Sequence, residues 1–331
     1  MVRYACSCAS SVSRGFSAGL FDVISRGVVL LNWDKGLLSF RARTEKSHST
    51  NTFAICAFWL RGIAVTWAAR VAAYLKHLGH VVVGYDRADG DDLLDAASVR
   101  AAADGCAAVV HAGALAHDTA GSPEDIMAVN VLGTWHVLLA AEAAGVARVV
   151  YFSSGQVFGI AEGERLPDYF PVDDAHPRRA MRPYGLSKCL AEDLCAGFTA
   201  RTGIPTVALR PAWVWDPGMY QRVEAQWQHD PGSEWTPTWE YGQFVDVRDI
   251  AGAVRRALDV SLDGHHRLLL CAADIAATGP SLTMAARFAS SVPVRDPAGF
   301  QREPRRALFD CGAAARVLDW APRYGWAGRG H

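Results

Sequence analysis

The sequence predicts an α/β fold: a doubly wound parallel sheet with helices on both faces, and a smaller lobe towards the C-terminus. Two observations predict it. From about Ala68, short apolar runs rich in β-branched residues alternate with longer alanine- and leucine-rich stretches. That alternation requires right-handed crossovers and a parallel sheet buried on both sides. Between Trp213 and Tyr241 the rhythm breaks into a segment rich in Trp, Pro, Asp and Gln, which is assigned to the smaller lobe.

Phe53–Phe58 is short and apolar and fills the place of a first strand. Ala69–Leu78 reads as a helix ended by Gly79, the residue type that most easily turns left-handed after a helix. Val81–Tyr85 is a buried strand, Ala97–Ala103 a helix and Ala107–His111 a strand. Glu124–Ala144 is a long helix closed by Gly145, and Val149–Phe152 is the next strand. A polar connection through Pro171–Pro177 leads to a helix that carries Tyr184 and continues through Leu190, Leu194 and Phe198. The strand Thr206–Pro211 follows.

At 331 residues, half of them hydrophobic, the chain has ample material for one large domain or for a domain with a lobe. Its net charge of -1 gives no electrostatic case for nucleic acid or an anionic membrane. The 8 cysteines contain no Cys-x-x-Cys pair. Cys6 and Cys8 are poorly spaced for zinc, so free thiols, no metal site and a reducing, cytoplasmic setting are expected. No apolar run approaches the roughly 20 residues that span a bilayer. Residues 1–50 are rich in Ser and Arg, poor in acids and without sustained period. A transit peptide, a tail without function, and a non-native lead from a wrong start or shifted frame all fit that composition.

Tyr184 and Lys188 stand four apart, so phenol and ammonium share one helix face. A nearby cation favours phenolate and lowers a tyrosine pKa towards working pH. Ser153 and Ser154 end the strand upstream, where a serine can hold a substrate hydroxyl or carbonyl against that phenol. An isolated Tyr-x-x-x-Lys is usually structural; this one comes with ordered company.

At these residues the chain resembles the extended short-chain dehydrogenases/reductases, the NAD-dependent epimerase/dehydratase family. The resemblance runs from about Arg70 to the C-terminus. It rests on GHVVVGYDR, DLLD, AAVVHAGA, VNVLGT, FSSGQVFG, PVDDAHP, YGLSK, LRP and FVDVRDIA in family order. It implies a Rossmann-like fold, bound NAD, and hydride transfer at a hydroxyl or carbonyl of a sugar or sugar nucleotide. Residues 51–211 would form the dinucleotide-binding domain and 212–331 mainly the substrate lobe, with 244–258 returning to the core and 1–50 an unmatched extension, disordered or loosely packed. A homodimer through the Tyr184 helix and the long helix before it is implied as well. No nucleic-acid or membrane partner is expected.

By carry-over, Tyr184 is the general acid/base, Lys188 holds the nicotinamide ribose, and Ser154 hydrogen-bonds the reacting oxygen, with Ser153 a packing residue. Asp86 would accept both adenosine ribose hydroxyls and so favour NAD; Arg87 beside it keeps NADP open. Asp92 and Leu93 match an adenine-contacting pair. His111, Ala112, Gly113 and Ala114 match the segment under the cofactor. Asn130 matches a helix asparagine, or is a buried amide bonding backbone. Pro211 closes the LRP run beside the cofactor. Gly155 and Gln156 stand where dehydratases carry an Asp-Glu pair, so elimination is not expected; epimerisation and simple oxidation or reduction remain.

Two departures weigh against the full family pattern. The family's Thr-Gly-x-x-Gly-x-x-Gly loop falls on Arg61–Ala68, where only Gly62 survives, and Val65 and Trp67 are expected to obstruct the phosphates in a distorted strand-to-helix turn. That abrupt loss favours the shifted-frame reading of the N-terminus. It also motivates the alternative of a catalytically impaired or non-enzymatic Rossmann-like protein. In addition, Trp213 and the neighbourhood of Gly242 stand where sugar-nucleotide enzymes place diphosphate anchors. Trp213, Trp215, Trp227, Trp235 and Trp239 either stack on a sugar ring or pack the lobe. Arg222 binds an acidic substrate or lies on the surface. His265 and His266, adjacent on a strand, point apart and make a poor metal pair.

Overall fold

Six strands form where β-branched and aromatic residues cluster, and residue alternation along each strand sends neighbours to opposite faces. The structure, a computed structural model, describes residues 28–34, 37–43, 54–59, 65–160, 165–230 and 241–327. The chain divides into two units, Met1–Asn51 and Thr52–His331.

In the first unit the described residues are β1 (Val28–Asp34) and β2 (Leu37–Arg43), an antiparallel hairpin with Val28 opposite Arg43. The absence of sustained period in residues 1–50 did not lead us to expect it. The rest of that extension lies outside the described residues.

In the second unit, β3 (Ala54–Trp59), β4 (Val81–Asp86), β5 (Ala108–His111), β6 (Val149–Phe152), β7 (Thr206–Pro211) and β10 (His265–Leu270) form a parallel sheet in the order β10-β7-β6-β5-β3-β4. The chain crosses from β4 back over β3 to β5. The strand order therefore reverses between β3 and β5, and in doubly wound sheets the C-terminal strand ends beside such a reversal border the ligand-binding crevice. Helix α1 (Val65–His77) and α6 (Val247–Asp259) cover one face through Val71, Leu75, Ile250 and Val254. Helices α2 (Ala96–Ala103), α3 (Pro123–Ala144) and α4 (Pro183–Thr202) cover the other through Val99, Val137, Leu138 and Phe198. Ile55 lies in the first cluster and Cys56 in the second, as a strand buried on both sides requires.

Helix α1 begins at Val65, four residues before the expected Ala69. Helix α3 opens on a capping box between Ser122 and Asp125 and loosens into one π turn at Ala128–Leu132. By length and composition α3 is long and apolar enough to cross a membrane, which corrects the sequence expectation that no run reaches that size. Its Val137, Leu138, Ala140 and Ala141 are buried against the sheet.

The segment after β7 holds β8 (Trp213–Trp215) and β9 (Phe244–Asp246), a parallel pair, with α5 (Pro217–His229) between them in sequence. Trp215 stacks on Phe244 with ring centroids 4.4 Å apart. The short helices α7 (Ser281–Ala289), α8 (Pro297–Arg302) and α9 (Gly312–Leu318) complete the C-terminal part. The return to the core is longer than residues 244–258: α6 lies on the sheet, and β10 adds its sixth strand.

Candidate active site

Helix α4 is the element on which the site is built. Pro183 at its first position has the fixed φ a helix start needs, and its N-cap Arg182 makes no side-chain cap bond. The cap comes from afar: Asp118 Oδ1, in the segment after β5, accepts the Tyr184 N–H at 2.8 Å. Tyr184, Lys188 and Glu192 then recur every four residues on one buried face.

That face grips the end of β6. Lys188 Nζ donates to the Phe152 carbonyl at 2.8 Å. Glu192 Oε1 accepts from Ser153 Oγ at 2.6 Å. Two successive residues at the strand end are thus tied to the helix, and Ser154 is the next. Gly185 completes the junction: a Cβ there would lie 2.9 Å from the Gln156 carbonyl oxygen and 2.8 Å from Ala180 Cβ. The turn after Ser154 therefore meets the first turn of α4, with room for glycine alone. Ser154 Oγ accepts from the Gln156 N–H at 3.1 Å, which leaves its O–H to donate to a substrate oxygen.

Glu192 is wholly buried, and Arg210 of β7 meets it with Nε and Nη2, both at 2.8 Å. This bidentate pair, with the Ser153 bond, holds its carboxyl below the usual range against burial, which opposes the charge. Asp174 Oδ1 lies 3.3 Å from Arg210 Nη1, yet burial pushes that carboxyl up to about 6. Burial pushes the Lys188 ammonium down to about 7, while Glu192 one turn away pulls the other way.

A second chain of bonds runs from β5 to α4. Thr134 Oγ1 donates to the Asn130 carbonyl at 2.6 Å, so it accepts from His111 Nε2 at 2.9 Å. His111 is thereby assigned the neutral Nε2–H form. Burial, reinforced by the Lys188 charge, drives its pKa down to about 3. Its Nδ1, buried at the C-terminal end of β5, has no hydrogen-bond partner among the described residues and is left to accept. The Asn130 amide bonds both backbone groups of Leu115 and donates to Ser187 Oγ at 2.9 Å, and Ser187 donates to the Tyr184 carbonyl. Asn130 therefore fastens the segment after β5 to α4.

The far end of the crevice is made by local turns. Asp86 closes β4, with Oδ1 accepting from the Ala88 N–H at 3.0 Å. Arg87 is exposed. The Asp92 backbone is held by Tyr85 Oη, and its carboxylate caps the Leu94 N–H. Leu93 is buried against Gly133. The Ala112 N–H bonds the Phe58 carbonyl, Gly113 is buried, and Pro211 ends β7 half-buried.

Gly62 and the rest of residues 61–64 of the expected phosphate loop lie outside the described residues, as do Trp235 and Trp239. Trp67 departs from expectation. Its ring packs on Phe152 at 4.8 Å against the apolar cluster under the sheet, because an indole on that helix face finds more apolar contact there than in a polar loop. Trp215 and Trp227 pack the lobe core, Trp213 is partly exposed, and Arg222 is a surface residue. His265 bonds Thr206 Oγ1 and His266 bonds the Asp263 carbonyl, so the two point apart. Among the described residues no group of three or more His, Cys, Asp or Glu side chains is arranged to hold a metal ion.

Sequence reasoning missed Glu192, Arg210 and Asp118. Glu192 extends the four-residue spacing of Tyr184 and Lys188, and Arg210 is a lone cation in an apolar strand; those were the available signals.

The family model described as NAD dependent epimerase/dehydratase matches residues 62–268. The chain belongs to this family. Among curated relatives, uronate dehydrogenase of Pseudomonas putida is 38% identical over 121 residues, covering 36% of this chain and 42% of that protein. UDP-glucose 4-epimerase of Rhizobium leguminosarum is 31% identical over 106 residues, covering 31% of each. The chain thus spans less than half the length of these relatives. A short-chain dehydrogenase/reductase superfamily protein from Agrobacterium tumefaciens, solved with bound NAD, superposes with a TM-score of 0.61 at 22% identity, covering 83% of this chain and 94% of that one. MoeE5 in complex with UDP-glucose and NAD gives 0.61 at 22%, covering 83% and 96%. These two likenesses establish the shared fold.

Proposed function

We propose that this family member is an NAD-dependent dehydrogenase or epimerase of a sugar-like alcohol, with Tyr184 as its acid/base. One observation carries the proposal: α4 brings Tyr184 and Lys188 to the strand end that presents Ser154. The residues present fit NAD. Asp86 ends β4 where ribose hydroxyls would seek an acceptor, with Arg87 beside it, and His111 offers a buried acceptor at the crevice. Gly62, Asp92, Leu93, Ala112, Gly113, Asn130 and Pro211 complete the proposed cofactor surroundings, Asn130 acting by fastening the chain rather than by touch.

Bound NAD would supply the hydride acceptor. Ser154 Oγ donates to the substrate oxygen and fixes its carbon. Tyr184 Oη takes the hydroxyl proton during oxidation and returns it during reduction. The Lys188 charge, 5.7 Å from the Tyr184 ring centroid, favours the negative oxygen that results. Dehydrogenation stops after one transfer; epimerisation needs the hydride returned to the opposite face.

The names of the relatives point first to a hexuronate and second to a UDP-sugar. Trp213, at 39% exposure on β8, offers a ring where a diphosphate anchor would stand, which supports the free sugar acid. Calorimetric titration with NAD and NADP, followed by NADH formation with glucuronate, galacturonate and UDP-glucose, tests the proposal. Micromolar NAD binding and NADH production are expected. Absence of binding at millimolar NAD would sink it in favour of a non-enzymatic scaffold, the reading that the single surviving loop glycine favours. We also propose a homodimer through α3 and α4, whose Leu132, Leu186 and Leu190 are exposed at 46%, 38% and 46%. Light scattering at the monomer mass would dispose of it.

A further inference from the structure

Cys271 follows the last residue of β10, and Cys311 precedes α9; the two are 40 positions apart. Folding brings their Sγ atoms to 3.2 Å. The Cys271 N–H donates to Cys311 Sγ at 3.0 Å, so that sulfur is held over the strand end by backbone. Cys271 is buried in the cluster of Leu269, Ile275 and Phe309, while Cys311 lies half-buried at its edge. Neither side chain has a part in the proton transfer described above.

We propose that Cys271 and Cys311 form a thiol oxidation site that takes a hydroperoxide and closes to a disulfide between β10 and α9. A disulfide needs its sulfurs at about 2.05 Å, so they must approach by roughly 1 Å. The Cys311 thiol gives up its proton and its sulfur attacks a hydrogen peroxide oxygen; the O–O bond breaks, an S–O bond forms, and the departing hydroxide takes that proton and leaves as water. Cys271 then attacks the Cys311 sulfur; the S–S bond forms, the S–O bond breaks, and the Cys271 proton leaves with that hydroxide as a second water. Two thiols give up two electrons and the peroxide accepts them. The hydrogen bond to Cys311 and burial hold the resting Cys271 thiol well above the usual range, which makes its attack the slower step.

The closed loop contains α7 and α8, so oxidation ties the lobe segment to the edge of the sheet and should raise the unfolding temperature. Cys56 and Cys106 provide an internal control. They also stand within hydrogen-bonding reach of each other, but both are buried. Accessibility rather than proximity therefore predicts which pair reacts.

The test is peptide mapping by mass spectrometry of the whole protein, alkylated without reductant after stoichiometric hydrogen peroxide. The expected product links the Cys271 and Cys311 peptides, is lighter by two hydrogens, and reverts with dithiothreitol. It is absent from Cys311→Ser. Further oxidation of Cys311 to a sulfinic acid without cross-linking, a Cys56–Cys106 link formed first, or no reaction at all overturns the proposal. Mapping the unsubstituted protein decides this even if the variant does not fold, and the outcome is independent of any substrate.

Discussion

At the β6–α4 end of the crevice the bonds that place the reacting groups join residues 36, 39, 57 and 66 positions apart: Lys188 to Phe152, Ser153 to Glu192, Asn130 to Ser187, and Tyr184 to Asp118. At the β4 end, hydrogen bonds of Asp86 and Asp92 join residues 2, 5 and 7 apart, with one longer tie from the Leu93 carbonyl to His136. The first set is mostly buried, and its Glu192 is also ion-paired with buried Arg210; the second is partly exposed and made of turns. The proposed proton and hydride transfer would lose rate if reacting atoms shifted by an ångström, and bonds that no local segment can supply fix that end. The proposed ribose contact would ask only for a carboxylate at a strand end, which a local turn can place.

Glu192→Ala should separate the two ends most sharply. It leaves buried Arg210 without its bidentate partner, with only the longer contact to Asp174, and breaking such a pair costs about 3–5 kcal/mol. A fall in Tm of roughly 10 °C is expected by calorimetry, with little change for Asp86→Ala. Equal losses would mean that the ends are not built differently.

Tyr184→Phe should lower kcat by at least about a hundredfold while Tm stays within a few degrees. Turnover at the wild-type rate would remove Tyr184 from the chemistry.

Lys188→Met should also abolish most turnover, yet stabilise the fold at low pH. Burial depresses Lys188 to about 7, whereas an unfolded lysine titrates near about 10.4. Between those values the unfolded chain binds the extra proton, so stability rises with pH, and the burial penalty is greatest below about pH 7. The Tm gain of Lys188→Met should therefore be larger at pH 6 than at pH 10. A gain that does not depend on pH would contradict a buried ammonium.

The smallest effect belongs to the β4 end. Asp86→Ala should weaken NAD about tenfold, or 1.4 kcal/mol, and narrow the preference over NADP, since Arg87 remains. Titration showing unchanged NAD affinity would take Asp86 out of the ribose site.

The sequence by itself determined the parallel sheet, the order of strands and helices from β3 to β7, and the pair Tyr184–Lys188, because these rest on local period and four-residue spacing. It also made Asp86 and Ser154 visible, because both sit at strand ends. Tertiary structure alone decided that Glu192 holds Ser153, that Asp118 caps α4, that His111 is neutral with an open acceptor, that Trp67 turns in against Phe152, and that Cys271 meets Cys311. Each of those is a contact across 23 to 85 positions (His111–Thr134 the nearest, Trp67–Phe152 the farthest). No periodicity encodes such a partner; it is chosen when the sheet, packed on both faces, brings distant strand ends and helices to one edge.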